Sequence, residues 1–323
     1  TSIYTNWNAM LAGALLQAAP PLDDDWARDH ALLTLARLRR EAAAPDAVGH
    51  VPGGPPLLLD DQVQTARAAL DAAALTGDHE WVSWAAALMD RTWETFTDPE
   101  QPGLLDTPCS RGGEGLLSTP ARSIQDAPTP APNAIAAITC ARLAEWTGEA
   151  RWGERRDQIA GAFGDRAGTL GLHAAALLMA VDWQVSPPAH LVVTGAADDA
   201  EASRMHRSGL AAFLPRTILR RLVPGRGNPK TLPPALAAML ATSPAGKTRS
   251  FLCTGASCRP PADTDGAWRK ILREAGARLP PDPDRKTGVL PFTDSVNKVS
   301  TLKAGENSNE ACSDRDRKGH NQG

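Results

Sequence analysis

Cysteine is scarce in this chain of 323 residues and poorly placed for chemistry. Its five cysteines, Cys109, Cys140, Cys253, Cys258 and Cys312, are too few and too scattered for a disulfide scaffold. A reduced, cytoplasmic setting is therefore the default expectation. No Cys-x-x-Cys occurs, so dithiol redox chemistry at that spacing cannot be assigned to these residues. No two histidines have His-x3-His spacing, which leaves a metal site unsupported. No apolar run is long enough to cross a bilayer, and no basic start leads into an apolar segment. Neither a membrane span nor a signal peptide is expected. Lysine is also rare: residues 1–284 hold three Lys and four Asn, whereas residues 285–323 hold four of each. That polar, aperiodic end reads as a disordered tail. The chain opens on Thr1 within helix-like sequence and reads as a fragment whose natural start lies upstream.

Acidic residues are missing altogether from residues 202–262, which carry ten Lys/Arg. Residues 1–201 are the reverse, with 27 acidic and 13 basic side chains, a net of -14. Such asymmetry points to two bodies with different surfaces. Nucleic-acid binding by the basic stretch is disfavoured, because Phe213 and Phe251 are its only aromatics and offer no stacking platform. A solvated positive face, with docking on the acidic part as one role for it, is the better reading.

What the chain has in abundance is alanine-rich helical sequence that repeats. LDAAALTGDHEWVSWA (70–85) and CARLAEWTGEARWGER (140–155) share an apolar helix, Thr-Gly-acid, two residues, then Trp. A degraded copy, LLQAAPPLDDDWARDH (15–30), replaces Thr-Gly with Pro and Asp. Gly77 and Gly148 stand where a helix end favours a left-handed residue, and the acid that follows opens the next helix. The three tryptophans, Trp26, Trp81 and Trp152, are expected to pack back onto the preceding helix. Apolar periodicity predicts helices at about 5–19, 24–43, 61–76, 79–96, 132–147, 150–163 and 168–183. Helix pairs that cannot bury their faces alone imply a solenoid or a closed ring of hairpins. Two Gly/Pro-rich loops, 44–57 and 97–131, are long enough to serve a site and stand at one end of successive pairs. After Asp182 the pattern changes to short strands at 190–195, 217–223 and 250–253 and a helix at 265–276. The fold class expected is mainly α: a partial (α/α)6 toroid of αα-hairpins at 1–184, a small α/β element of the same domain at 185–284, and a tail at 285–323.

Four motifs in order give this chain a resemblance to a known family. TNWNAMLAGALLQAA, LLLDDQVQTARAALDAAALTGD, DAPTPAPNAIAAITCARLAEWTGE and SFLCTGASCRPP are similar to segments of the spermatogenesis-associated protein 20 family, whose bacterial members are called thioredoxin-domain-containing proteins. The match covers about residues 1–275. It implies an N-terminal thioredoxin-like domain, absent here, followed by an (α/α)6 toroid resembling those of N-acylglucosamine 2-epimerases. The chain departs from the family pattern at Ala9, Asp60, Gln62, Ala131, Pro132 and Ala134.

Candidate site residues follow from both readings. Trp7 and Asn8 begin an inner helix, where an indole face can stack on a sugar and an amide can fork hydrogen bonds to hydroxyls. Asp60 and Asp61 form a carboxylate pair suited to acid–base work or, more plainly, to a helix dipole. Asp126 and Asn133 flank a proline-stiffened loop that reaches the cavity in the resembled family. His50 lies on the 44–57 loop, while His173, within LGLHAAALL, reads as a core residue. Asp61 and Asp126 are the catalytic candidates; Trp7, Asn8, His50, Asp60 and Asn133 are the binding candidates. No metal or cofactor is expected. The expected function is sugar binding or, if the site is active, epimerase-like or hydrolase-like chemistry on a sugar or glycoside; the alternative is a non-catalytic scaffold working with a thioredoxin-like domain. Cys253-x4-Cys258 stays open between a structural turn, a disulfide or redox switch, and half a metal site.

Overall fold

Each Thr-Gly repeat builds one tight helical hairpin, and the hydrogen bonds show why those residues recur. The computed structural model of the chain describes residues 2–108, 121–223, 234–241 and 246–281. Helix α3 (Leu59–Thr76) ends on Gly77 at φ 71°, and α5 (Pro132–Thr147) ends on Gly148 at φ 72°. The threonine before each glycine donates its hydroxyl back to the helix, Thr76 to Ala72 and Thr147 to Leu143. The same hydroxyls accept the N–H of Asp78 and Glu149, the residues that open α4 (His79–Phe96) and α6 (Ala150–Phe163). In the degraded copy, Asp23 takes the left-handed role at φ 52° between α1 (Thr5–Leu22) and α2 (Asp25–Arg40), and Asp24 caps α2 by accepting the Ala27 N–H. Pro20 and Pro21 are carried within the last turn of α1.

Two of the three repeat tryptophans behave as expected. Trp152 is fully buried and Trp81 packs partly buried against the core. Trp26 is 67% exposed and stacks instead on His30 of its own helix.

Helices α1, α3 and α5 pack side by side as an inner row, with α2, α4 and α6 returning outside them. The row continues into α8 (Ala175–Val185), which lies against α5. This is the layout of part of an (α/α) toroid. Ala9, Ala12, Ala66, Ala69, Ala134 and Ala137 are all buried along the inner seams, so the helices approach closely. The continuous helix expected at 168–183 is broken. A short helix, α7 (Ala167–Leu170), gives way at Gly171, φ 56°, to a 3₁₀ turn before α8 begins. His173 is exposed on that turn and not in the core.

Strands β1 (Thr97–Asp98) and β2 (Gln101–Leu104) form a small ribbon in the loop before α5. The α/β element of the same unit is built on a four-stranded sheet in the order β4-β3-β5-β6. Strands β3 (Ala189–Thr194) and β4 (Thr217–Leu222) run parallel and are joined through α9 (Ala200–Ala211), and β5 (Arg249–Thr254) is antiparallel to β3. A further helix, α10 (Pro234–Ala241), precedes β5. Helices α9 and α11 (Asp265–Glu274) cover one face over Leu191, Val193, Leu219 and Leu252, with Trp268 fully buried and its indole N–H donated to the Met205 carbonyl. The basic stretch does dock on the acidic part: Arg216 pairs with Asp182, and Arg220 lies over Trp146 and donates to the Glu145 carbonyl. His206 donates from Nε2 to the Ala74 carbonyl at 3.0 Å, fastening α9 to the end of α3.

Strand β6 (Ser257–Cys258) turns back on β5 so that Cys258 faces Cys253, and the two are joined as a disulfide across Cα atoms 4.0 Å apart. The open question about this pair is thus answered by a turn and a bond together, and the expectation of reduced thiols fails here. Cys140 is buried as a free thiol, its pKa pushed up to about 12 by burial. Cys109, Cys312 and the expected tail lie outside the described residues. The chain divides into one unit at residues 1–280 and another at 281–323.

Candidate functional site

The inner helices run parallel, and this places their first turns at one mouth. The Asn6 N–H donates to Asp61 Oδ1, while eleven residues later on α1 Gln17 donates to Asp71 on α3. Matching ends in matching order require α1 and α3 to point the same way. The start of α5 joins them through Asp106, whose carbonyl accepts the Leu59 N–H and whose carboxylate accepts from Ser123. The Ser123 carbonyl in turn accepts from Asn133. The start of α8 is tied on by Asp126, which accepts the N–H groups of Ala131 and Ala176.

At the α1 and α3 side of the mouth, six polar or aromatic residues converge: Tyr4, Asn6, Trp7, His50, Asp60 and Asp61. Loop 44–57 is pinned twice: Gln62 exchanges two hydrogen bonds with the Val48 backbone, and Thr5 bonds to the carbonyls of Gly49 and His50. Gly49 is required there, since a Cβ would lie 2.1 Å from the Gly54 carbonyl oxygen. The pinned loop sets His50 over Asp61, with Nδ1 3.1 and 3.2 Å from the two carboxylate oxygens. Tyr4 stacks on His50 at 4.9 Å and meets Trp7 edge-on at 5.3 Å. The Trp7 indole is 61% exposed. Asp60 accepts from Asn6 Nδ2 at 2.7 Å and from Gln64 at 3.1 Å.

Asp61 is fully buried, and burial raises its carboxyl above the ordinary value of 3.8. The hydrogen bond and charge of His50 and the Asn6 N–H oppose that rise, and the Asp60 charge adds to it. A carboxylate against Nδ1 fixes the imidazole as the Nδ1–H tautomer, which leaves Nε2 with a lone pair. The half-exposed ring can therefore exchange a proton with a ligand at the mouth.

Of the seven site residues named from sequence, Trp7, His50, Asp60 and Asp61 come together. Asn8 is spent on the Tyr4 carbonyl at 2.8 Å and so positions the tyrosine. Asp126 has both carboxylate oxygens engaged by backbone N–H groups, and Asn133 is buried on the Leu104 backbone and Ser123. Both residues hold the loops together. Asn6 and Tyr4 were missed, although Asn6 lies within the same motif as Trp7 and Tyr4 immediately precedes it. Among the described residues, no cluster of three or more His, Cys, Asp or Glu is arranged to hold a metal. Also among them, no helix is long and apolar enough to cross a membrane.

Below the mouth, two cavities open along the same helices. A narrow slot of about 190 Å³ lies between α1 and α3 and is lined by Gly13, Gln17, Gln64, Arg67 and Asp71 among small residues. A larger cavity of about 770 Å³ lies at the other ends of the inner helices, shares Gln17, Arg67 and Asp71, and has Trp183, Phe213 and Leu214 in its walls.

No family model and no curated protein matches this chain. Among solved structures it is similar to the GH76A α-1,6-mannanase of Salegentibacter sp. HEL1_6, at 16% identity and a TM-score of 0.40, over 50% of this chain and 47% of that one. An inactive variant of that enzyme in complex with α-1,6-mannotriose gives the same coverage and identity with a TM-score of 0.41. The GH76 α-mannanase of Bacteroides thetaiotaomicron follows at 13% identity and a TM-score of 0.39, over 50% of this chain and 44% of that one. The chain thus spans less than half the length of the structures it matches.

Proposed function

We propose that the mouth binds a sugar and that His50, held by Asp61, is its acid–base group. The observation that carries this reading is the exposed Trp7 face near a half-exposed imidazole that a buried carboxylate holds. A flat apolar ring with hydrogen-bonding groups at its edge suits a pyranose, whose C–H face stacks while its hydroxyls reach Asp60 and Asn6. Nε2 of His50 can then take a proton from the carbon beside the carbonyl of a ring-opened aldose. The C–H bond breaks, the electron pair passes to the carbonyl oxygen, and the proton returns to either face of that carbon. This is an epimerase-like reaction, with Asp61 as the positioning residue. The order of the four sequence motifs supports placing the chain as the toroid portion of a thioredoxin-domain-containing protein.

The test is proton exchange. A panel of aldoses incubated with the protein in deuterium oxide is expected to gain deuterium at the carbon beside the carbonyl, and His50→Ala is expected to abolish the gain. Binding that quenches Trp7 fluorescence without exchange would leave a sugar-binding module. Neither would leave the scaffold reading, which the apolar residues at both edges of the helical row favour. Association with a thioredoxin-like domain would then be the measurement to make.

A further inference from the structure

Helix α3 carries one polar stripe that the mouth does not use up. Asp60, Gln64, Arg67 and Asp71 are spaced four, three and four apart, which sets them on one face of a helix otherwise dominated by alanine and other small or apolar residues. On α1, Asn6, Met10, Gly13 and Gln17 keep the same spacing and face that stripe. Hydrogen bonds close the seam at its two ends, Asn6 to Asp60 and Gln17 to Asp71, and the slot of about 190 Å³ opens between them.

Two groups in that slot are left over. Gln64 is 1% exposed, and its amide nitrogen donates to Asp60, which turns Oε1 the other way, where it has no partner among the described residues. An unmet buried acceptor is costly, and this one asks for a donor. Three residues on, the Arg67 guanidinium has no carboxylate or hydrogen-bond acceptor among the described residues, although it lines both cavities. Its acidic neighbour Asp71 is already engaged by Arg142 at 2.8 Å and Gln17 at 3.0 Å. Gly13, Ala9, Ala14 and Ala68 keep the slot open between the helices. A Cβ at Gly13 would stand 3.3 Å from an Asp71 oxygen.

We infer that this slot is a second binding position, which takes a small sugar acid by pairing its carboxylate with Arg67 and donating a hydroxyl to Gln64 Oε1. A single unpaired guanidinium matches a single negative charge, and its fork suits a carboxylate. The polyol half of this ligand rests on the carbohydrate reading of the mouth; the carboxylate half rests on Arg67 alone.

The experiment is a side-by-side titration of the whole chain with D-glucuronate, D-glucose and acetate, read by calorimetry and by NMR of the Gln64 side-chain amide and the Trp7 indole. Glucuronate is expected to shift Gln64 and to bind at least about tenfold more tightly than glucose or acetate. Arg67→Gln is expected to remove that advantage, and Arg67→Lys to restore part of it. If glucose shifts Trp7 but glucuronate leaves Gln64 unmoved, the slot proposal is overturned while the mouth reading stands. A Gln64 shift without any neutral sugar at Trp7 supports the slot and overturns the mouth. Acetate binding as tightly as glucuronate overturns the sugar part. Should Arg67→Gln fail to fold, the titrations of the unaltered chain decide alone.

Discussion

Asp61 is a buried acid with a basic neighbour, and the balance between the two can be measured. Because burial raises its carboxyl and His50 lowers it, His50→Ala is expected to move the Asp61 titration further upward, followed by carboxyl NMR. A midpoint that falls or stays still would show that His50 does not act on Asp61. The native protein holds the Asp61 proton to higher pH than the unfolded chain does. Its contribution therefore favours folding at low pH and is lost as pH rises through the raised value. Sequence made the types at this site visible: a tryptophan, a histidine on a long loop and two acids at a helix start. It did not reveal which polar groups were already taken. Asp126 and Asn133 look like Asp60 and Asp61 in type, yet backbone N–H and C=O groups consume them. Arg67 and Gln64 were overlooked for the opposite reason. On a helix buried nearly all round, spacing identifies a face only once it is known which face meets the cavity.

The hairpin turns make a paired prediction at the level of elements. Gly77→Ala places a Cβ on a left-handed residue and is expected to destabilise the fold by about 1 kcal/mol. Asp23→Gly relieves the same conformation and is expected to stabilise it by roughly 0.5–1 kcal/mol. Chemical denaturation of both variants checks the pair, and equal signs would refute the common origin of the turns. That origin was legible in the Thr-Gly-acid spacing, as were α1 to α6, α11 and the strands β3, β4 and β5, whereas β1, β2, β6 and α10 were not. The break at Gly171 was not, because alanine-rich sequence on either side reads as one helix. A second prediction belongs to the junction of α9 with α3. Burial lowers the pKa of His206 from 6.5 to about 4, so the folded state prefers the neutral ring. Stability tied to it is intact above pH 6.5 and falls as pH drops toward 4, by about 3 kcal/mol at the limit. His206→Gln retains a donor for the Ala74 carbonyl and is expected to flatten that part of the pH–stability profile.

Across the whole molecule, the row of hairpins leaves apolar side chains exposed at each edge. Leu11, Leu22, Trp26 and Leu33 stand on the α1 and α2 side, and Leu172, Leu178 and Val185 on the α7 and α8 side. The isolated chain is expected to associate as its concentration rises, and Leu33→Glu to weaken that association in sedimentation velocity. A monomer at every concentration would count against it. The parallel order of α1, α3, α5 and α8 has one more consequence, an electrical one. Each helix start carries about half a positive charge, so four of them gathered at the mouth supply about two. Asp60, Asp61, Asp106 and Asp126 all stand at these starts, and the opposite, negative poles gather toward the end where Arg142 and Arg216 lie. The inner row of helices is thus polarised along its length, with carboxylates gathered at its positive poles and arginines toward its negative ones.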